Sequence, residues 1–381
     1  MISCVLSFTS THKQDSLDVK IPAFLKDNSR TGCNTQYPKT LHKSTLCRAR
    51  DKISWMAFES IFYETRTLAI DLMGNKKHYL WKNKSIYAID GSKCCVPATK
   101  ELRKEFEPNS GLDKFGKGHY PQALVMTVTD VLRQIPIARK ISPCDVSERK
   151  IAMESIELVP ENGIILFDRG FPSYEFFSHL INHYKGHFLI RCPFKNSFKE
   201  IDQLTNKSEA VLTMKGITLR AICLTSPDGT RSVLFTNLLD KNKYSCASIR
   251  NLYYKRWQIE SHYRDEKYSL DLEHFHSKSI NGIKQELFAS LIMMIITRVL
   301  MDNQTTDIQR PPQFKHAIHT LAKEAYLLVT NKPKIALQLF IELLEEIKRI
   351  KYYKPLKKRK SYPRMSKTAE NKWRKYRNHE K

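Results

Sequence analysis

A chain of 381 residues with 41% hydrophobic side chains can bury one or two cores, and its 64 Lys and Arg against 39 Asp and Glu leave a formal charge of +25. An excess of that size does nothing for a fold and points to a polyanionic partner, ahead of a merely soluble basic protein. Nine Cys without a CxxC pair exclude a zinc ribbon and a disulfide framework, and they fit a reducing cytosol.

Taken from the start, residues 1–50 are polar and show no sustained period. Residues 52–73 place Trp55, Phe58, Ile61, Phe62, Leu68 and Leu72 at helical spacing. Segment 1–80 is thus expected to be irregular and then helical, a candidate reduced DNA-binding region. Met1 to Leu6 lack the basic start of a signal peptide.

Segment 81–194 alternates strands and helices. A strand over 86–89 is stopped by Asp90-Gly91, and a loop with Gly111, Gly116 and Gly118 follows. Two β-rich runs come next, 123–131 and 134–141. Asp145 with Glu148 three residues on marks a helix start running to about 158. A buried strand over 164–167 ends at Asp168-Arg169-Gly170, and a helix (173–184) and a strand (187–191) complete the run. The order is three strands, helix, strand, helix, strand: an α/β pattern with a hairpin in front and crossovers behind.

Segment 195–247 carries short β-prone pieces between turn signals such as Pro227-Asp228-Gly229, and reads as a small all-β insertion. In 248–301, Ser248 is a plausible N-cap for a helix running to about 270, and 283–301 is apolar enough to be a buried helix. The longest apolar run, 287–296, is too short to span a bilayer, so a soluble, cytoplasmic chain without membrane partners is expected.

Segment 302–381 is expected to hold C-terminal helices and a basic tail. Residues 347–381 contain 15 Lys and Arg and 2 Asp and Glu, a net +13. The run Lys357, Lys358, Arg359 and Lys360 cannot bury and reads as a nucleic-acid-facing or partly disordered tail. Tyr352, Tyr353, Tyr362, Trp373 and Tyr376 interleave these cations, as in surfaces that stack on bases and neutralise phosphates.

The residues fit for chemistry are few. Asp90 and Asp168 sit at the ends of apolar strands, where open α/β sheets line their crevices, although Asp-Gly and Asp-x-Gly are also ordinary turn chemistry. On the helix over 251–270, Tyr253, Arg256, Glu260 and Lys267 fall on one stripe, which could equally be a solvated face with Arg–Glu pairing. Trp257 and Ile259 are apolar neighbours, a tryptophan there being more often core than ligand contact. His274, His276, His316 and His319 have no Cys/His spacing that supports zinc.

The spacing Tyr253-x2-Arg256-x3-Glu260-x6-Lys267 resembles the Tyr-Arg-Glu-Lys signature of bacterial transposases of the DDE class, insertion sequence family four. Tyr87-Ala88-Ile89-Asp90-Gly91-Ser92, Phe167-Asp168-Arg169-Gly170-Phe171 and Leu234-Phe235-Thr236-Asn237-Leu238 carry it further, and it covers roughly 48–299. The resemblance implies an RNase H-like, retroviral-integrase-like core with the β insertion before its last catalytic helix. It implies that Asp90, Asp168 and Glu260 bind divalent metal, Mg²⁺ with Mn²⁺ able to substitute. Tyr253, Arg256 and Lys267, with Trp257 beside them, would contact DNA near the element ends.

The implied activity is cut-and-paste transposition. Cleavage and strand transfer would act on double-stranded DNA, both terminal inverted repeats and target, by a homodimer in the synaptic complex at the nucleoid. The alternatives are a host nuclease or resolvase of the same fold and a catalytically decayed DNA-binding remnant. The departure from the family is at the N-terminus, where a helical DNA-binding domain is usual.

Overall fold

Strand alternation decides which side chains of this protein meet in its core. The computed structural model describes residues 5–7, 16–29, 41–109, 120–194, 197–204, 207–225, 229–304 and 311–351. Gly111, Gly116, Gly118 and the basic residues Lys357, Lys358, Arg359 and Lys360 lie outside these.

The elements in order are α1 (Leu17–Ser29), α2 (Lys43–Asp51), α3 (Trp55–Met73), β1 (Ile86–Cys95), α4 (Lys100–Phe106), β2 (Gln122–Asp130), β3 (Ile135–Pro143), α5 (Glu148–Ile156) and β4 (Ile164–Phe167). There follow α6 (Tyr174–His183), β5 (His187–Pro193), β6 (Glu209–Met214), β7 (Ile217–Thr225), β8 (Arg231–Thr236), α7 (Cys246–Tyr254), α8 (Trp257–Arg264), α9 (Ile280–Gln304), α10 (Phe314–Thr330) and α11 (Pro333–Arg349).

The strands form one eight-stranded sheet in the order β3-β2-β1-β4-β5-β8-β7-β6. The hairpin β2–β3 and its neighbour β1 are antiparallel, β1–β4 and β4–β5 are parallel, and β8 returns antiparallel to β5. Crossover helices α5 and α6 are what the parallel pairs require. The β-rich segment after 195 supplies β6–β8, which lengthen this sheet at β5.

Along β1, Tyr87 and Ile89 face a core with Phe58 and Phe62 of α3, Ile151 and Ala152 of α5, Phe176 of α6 and Phe288 of α9. Ile86 and Ala88 face the opposite core, with Leu252, Tyr253, Ile259 and Tyr263 of α7 and α8. On β4 the same period sends Ile165 and Phe167 one way, and Ile164 and Leu166 the other. Asp90 follows Ile86 and Ala88, and Asp168 follows Ile164 and Leu166. Period two therefore puts both carboxylates on the α7–α8 face.

Several expectations are corrected. β1 does not stop at Asp90-Gly91: it pairs with β2 through Asp90↔Thr127 and on to Cys95↔Gln122. An Asp-Gly pair signals a turn only where no partner strand continues, and β2 continues. The helix over 251–270 is not continuous. It is capped by Ser245 rather than Ser248, breaks at Lys255–Arg256, and ends in a π-turn over Asp265–Ser269. Helix α5 starts at Glu148 behind Ser147, so Asp145 is not its cap.

The N-terminal segment is also more helical than its composition suggests. Helix α1 contains Pro22, and the mixed polar text of α1 and α2 hides their period. Helix α2 is fastened to the core by Arg50, whose guanidinium donates to Gln285 Oε1 (2.6 Å), Glu286 Oε1 (2.9 Å) and the Gly282 carbonyl (2.6 Å). Helix α9, nearly all buried, is a central support, but no helix among the described residues is long and apolar enough to cross a membrane.

The π-turn has a cause in buried charge. Glu266 is fully buried and takes both ends of the Arg139 guanidinium, at 2.8 and 2.7 Å, while Arg139 also donates to Thr127 Oγ1 at 3.0 Å. Breaking such a pair leaves an unpaired buried charge, so an extra residue in the turn costs less than exposing Glu266 elsewhere.

His262 lies against this pair, 3.6 Å from Glu266, with Arg139 and Arg298 also facing it. Burial pushes its pKa from 6.5 down to about 4. The folded chain therefore keeps His262 neutral, while the unfolded chain takes up a proton below pH 6.5. Its contribution is complete above that pH and is lost as pH falls toward 4, by ~3 kcal/mol in all. Denaturant unfolding at pH 7 and pH 5 should show a steeper acid loss for the parent than for His262→Asn. Equal losses would place His262 outside this linkage.

Candidate active site

The break between α7 and α8 aims three side chains at the strand ends. Tyr253 lies in the last turn of α7, Arg256 occupies the junction, and Glu260 lies one turn into α8. The Tyr253 hydroxyl donates to Asp168 Oδ1 at 3.2 Å. The Arg256 guanidinium reaches Glu260 Oε1 at 2.7 Å, Asp168 Oδ2 at 3.7 Å and Asp90 Oδ2 at 3.9 Å. Three carboxylates from β1, the end of β4 and α8 thus surround one cation.

Their environments differ. The Asp90 side chain is 24% exposed, Asp168 34% and Glu260 36%, with Arg256 at 11%. Burial lifts the Asp90 carboxyl from 3.8 to about 6, against the pull of Arg256 and of the Gly91 amide that donates to it at 3.0 Å. Asp168 and Glu148 push in the same direction as burial. Burial also works against the charge of Arg256, but Tyr253, Asp168, Glu260 and Asp90 outweigh it and raise its pKa. The Tyr253 phenol is raised by burial first and by Asp168 second.

The site is stitched from behind. The Tyr263 hydroxyl of α8 lies 2.6 Å from the Asp90 carbonyl and 3.2 Å from that of Val125, the nearer taking its proton. This bond ties α8 to β1 at the residue that carries the first carboxylate. In the first turn of α5, Arg149 donates to the carbonyls of Gly170 (3.3 Å) and Pro172 (3.5 Å), holding the turn after Asp168.

The residues expected from sequence divide accordingly. Asp90, Asp168, Glu260, Tyr253 and Arg256 come together. The solvated-stripe reading fails for Tyr253 and Arg256, which are buried. Trp257 is not core: it stands 58% exposed at the start of α8. Lys267 lies within the π-turn, its ammonium donating to the Lys93 carbonyl at 3.0 Å and standing 3.8 Å from Glu273. Missing from the sequence reading were Tyr263, Arg139 and Glu266, whose text carries no signal apart from the register that α8 and β1 share.

The donor set at this point is three carboxylates, hard oxygen ligands of the kind Mg²⁺ and Mn²⁺ take. Among the described residues no three His, Cys, Asp or Glu side chains are close enough to hold a metal ion as they stand. Here the carboxylates are spread around a guanidinium. They already converge on a positive charge, so they fit a hard cation in kind, and would have to draw closer together to hold one.

A family model described as the transposase DDE domain matches residues 81–296, which spans β1 through most of α9. The chain belongs to the transposase DDE-domain family. It is similar to curated insertion-sequence transposases named for IS4 elements. A transposase for insertion sequence element IS4SA of Synechocystis, itself named as provisional, is 29% identical over 158 residues, 40% of this chain and 46% of that one. The transposase InsG for insertion sequence element IS4 of Escherichia coli K12 is 23% identical over 276 residues, 68% of this chain and 61% of that one. The chain thus spans about half to three-fifths of the length of these curated relatives. A solved piggyBac transposase synaptic complex with hairpin DNA overlaps with a TM-score of 0.41 at 12% identity, over 69% of this chain and 57% of that one.

Proposed function

We propose that this protein is a divalent-metal-dependent DNA transposase that cleaves at the ends of its element and joins them to target DNA, with Asp90, Asp168 and Glu260 as the metal-binding triad. The observation that carries this reading is the convergence of those three carboxylates on the Arg256 guanidinium, at 2.7 to 3.9 Å. The core is read as RNase H-like. Support comes from the order β3-β2-β1-β4-β5, with two carboxylates on neighbouring parallel strands and the third on a helix across the same face. Residues 81–194 and 248–301 form that core, 195–247 its β extension, 1–80 and 302–381 its flanks.

Asp90, Asp168 and Glu260 would hold Mg²⁺, with Mn²⁺ able to replace it. When bound, such cations activate the attacking oxygen and stabilise the departing alkoxide. Arg256 serves first as the internal counter-charge that lets three carboxylates share one place. Its planar fork is also of the shape that would pair bidentately with a DNA phosphate beside the carboxylates. Tyr253 keeps Asp168 oriented, and Trp257 presents an aromatic face to the DNA on the same side. Lys267, in the middle of the π-turn, supplies a point charge to the DNA backbone.

The substrate is double-stranded DNA, the element's terminal inverted repeats and a target, bound by a homodimer. A duplex carrying the sequences that flank the coding region should be cut at the element boundary in Mg²⁺, and an unrelated duplex left intact. Cutting that ignores sequence would indicate a nuclease instead.

The tail adds a separate expectation, from sequence alone. Residues 347–381 carry +13, with aromatic side chains between the cations. Deleting 355–381 should weaken binding to any duplex, most visibly at low salt, while pre-bound DNA is still cleaved. Unchanged affinity at low salt would assign all DNA binding to residues 1–354.

A further inference from the structure

The carboxylate centre has a fourth acidic neighbour that the triad does not include. Strand β1 pairs with β4 only through Ile86–Ala88, against Ile164–Leu166. Beyond that point Asp90 and Gly91 have β2 on one side and an open edge on the other. Helix α5 packs on the opposite face of the sheet from α8, and the side chain of its first residue, Glu148, lies against Gly91.

Two observations fix the approach. A Cβ added to Gly91 would lie 3.2 Å from the carboxyl carbon of Glu148 and 3.3 Å from Leu124 Cδ1, so Gly91 is bare where the Glu148 carboxylate rests. The next residue, Arg149, holds the carbonyls of Gly170 and Pro172 in the turn that follows Asp168. The first turn of α5 is therefore tied to both Asp-bearing segments at once. Glu148 has no ion pair among the described residues.

We infer that Glu148 is a fourth carboxylate of the metal site, reaching through the open edge of β1 to share a divalent cation with Asp90 from the face opposite Glu260. The inference rests on the proposed triad. It adds a ligand on a long, exposed side chain that closes on the cation beside Asp90. A Cβ at 91 would stand 3.2 Å from the Glu148 carboxyl carbon, so the glutamate would have to shift by a few tenths of an ångström to make room for it.

Mn²⁺ binding by the DNA-free protein, read from the paramagnetic resonance of free Mn²⁺, tests this without any turnover. Glu148→Gln should weaken Mn²⁺ about tenfold with the metal-free melting temperature unchanged. Gly91→Ala should weaken it in the same direction, and the double variant should be no worse than Glu148→Gln alone, since both act through one carboxylate. Glu157→Gln, the same charge change at the other end of α5, should leave Mn²⁺ affinity as it was. Parent-like affinity in Glu148→Gln, alongside a loss in Asp90→Asn, would overturn the inference and leave the triad standing. So would an equal loss in Glu157→Gln. A parent that binds no Mn²⁺ at millimolar concentration would overturn both.

Discussion

Replacing Asp90, Asp168 or Glu260 by Ala is expected to reduce strand cleavage by roughly a thousandfold or more while leaving DNA affinity nearly intact. The two properties separate because affinity comes mainly from cations on phosphates, and the triad carries no positive charge. The three positions share one cation across 2.7 to 3.9 Å, so they act as a unit and double substitutions should lose little beyond single ones. Gel-shift binding and nicking of the same labelled end duplex give both quantities. Near-parental nicking by any one variant would remove that residue from the site.

Arg256→Ala is expected to have the second-largest effect, and one that reads out in two states. Without metal, the substitution leaves three carboxylates around an empty centre, so the variant should melt below the parent in chelator. Added Mg²⁺ should then raise its melting temperature by more than it raises that of the parent, because no guanidinium competes for the carboxylates. With DNA, cleavage should fall by on the order of a hundredfold. The log–log salt dependence of binding should also flatten by ~0.9, since one fewer phosphate is neutralised. Lys267→Ala, whose ammonium rests on the Lys93 carbonyl outside the carboxylate centre, should show the salt effect with a smaller drop in cleavage. An unaltered salt slope and full cleavage in Arg256→Ala would leave that residue a structural counter-ion only.

How much of this was legible in the sequence depended on the kind of signal. Strand β4 is recognisable because four apolar residues end at Asp168 with a glycine two positions on, and the structure bounds it at Ile164–Phe167. Asp90 is found by the same logic for the wrong local reason. Asp-Gly chemistry signals a turn, but cross-strand pairing to Thr127 and Met126 carries β1 through it. Helical periodicity locates Tyr253, Arg256 and Glu260 on one face but cannot see the break at Arg256 or the π-turn. Those depend on where Arg139, distant in sequence, buries Glu266.

The N-terminal helices escape for a related reason. Helices α1 and α2 share a small apolar cluster around Ile21 and Leu46, separate from the main core, and α2 is fastened to α9 by Arg50. Glu148 is visible in sequence only as part of a helix-start signal, since its approach to Gly91 exists only once β1 and α5 are packed. Placement of the basic tail lies outside the described residues, and its reading rests on charge alone.

The measurement that tests the central claim most directly is cleavage by Asp168→Cys in Mg²⁺ and in Mn²⁺. A thiolate is a poor ligand for Mg²⁺ and a better one for the softer Mn²⁺. If Asp168 holds a catalytic cation, the variant should be inert in Mg²⁺ and regain end cleavage in Mn²⁺, with the parent active in both. Cleavage at the parental rate in Mg²⁺ would show that Asp168 holds no metal, and the triad would have to be abandoned.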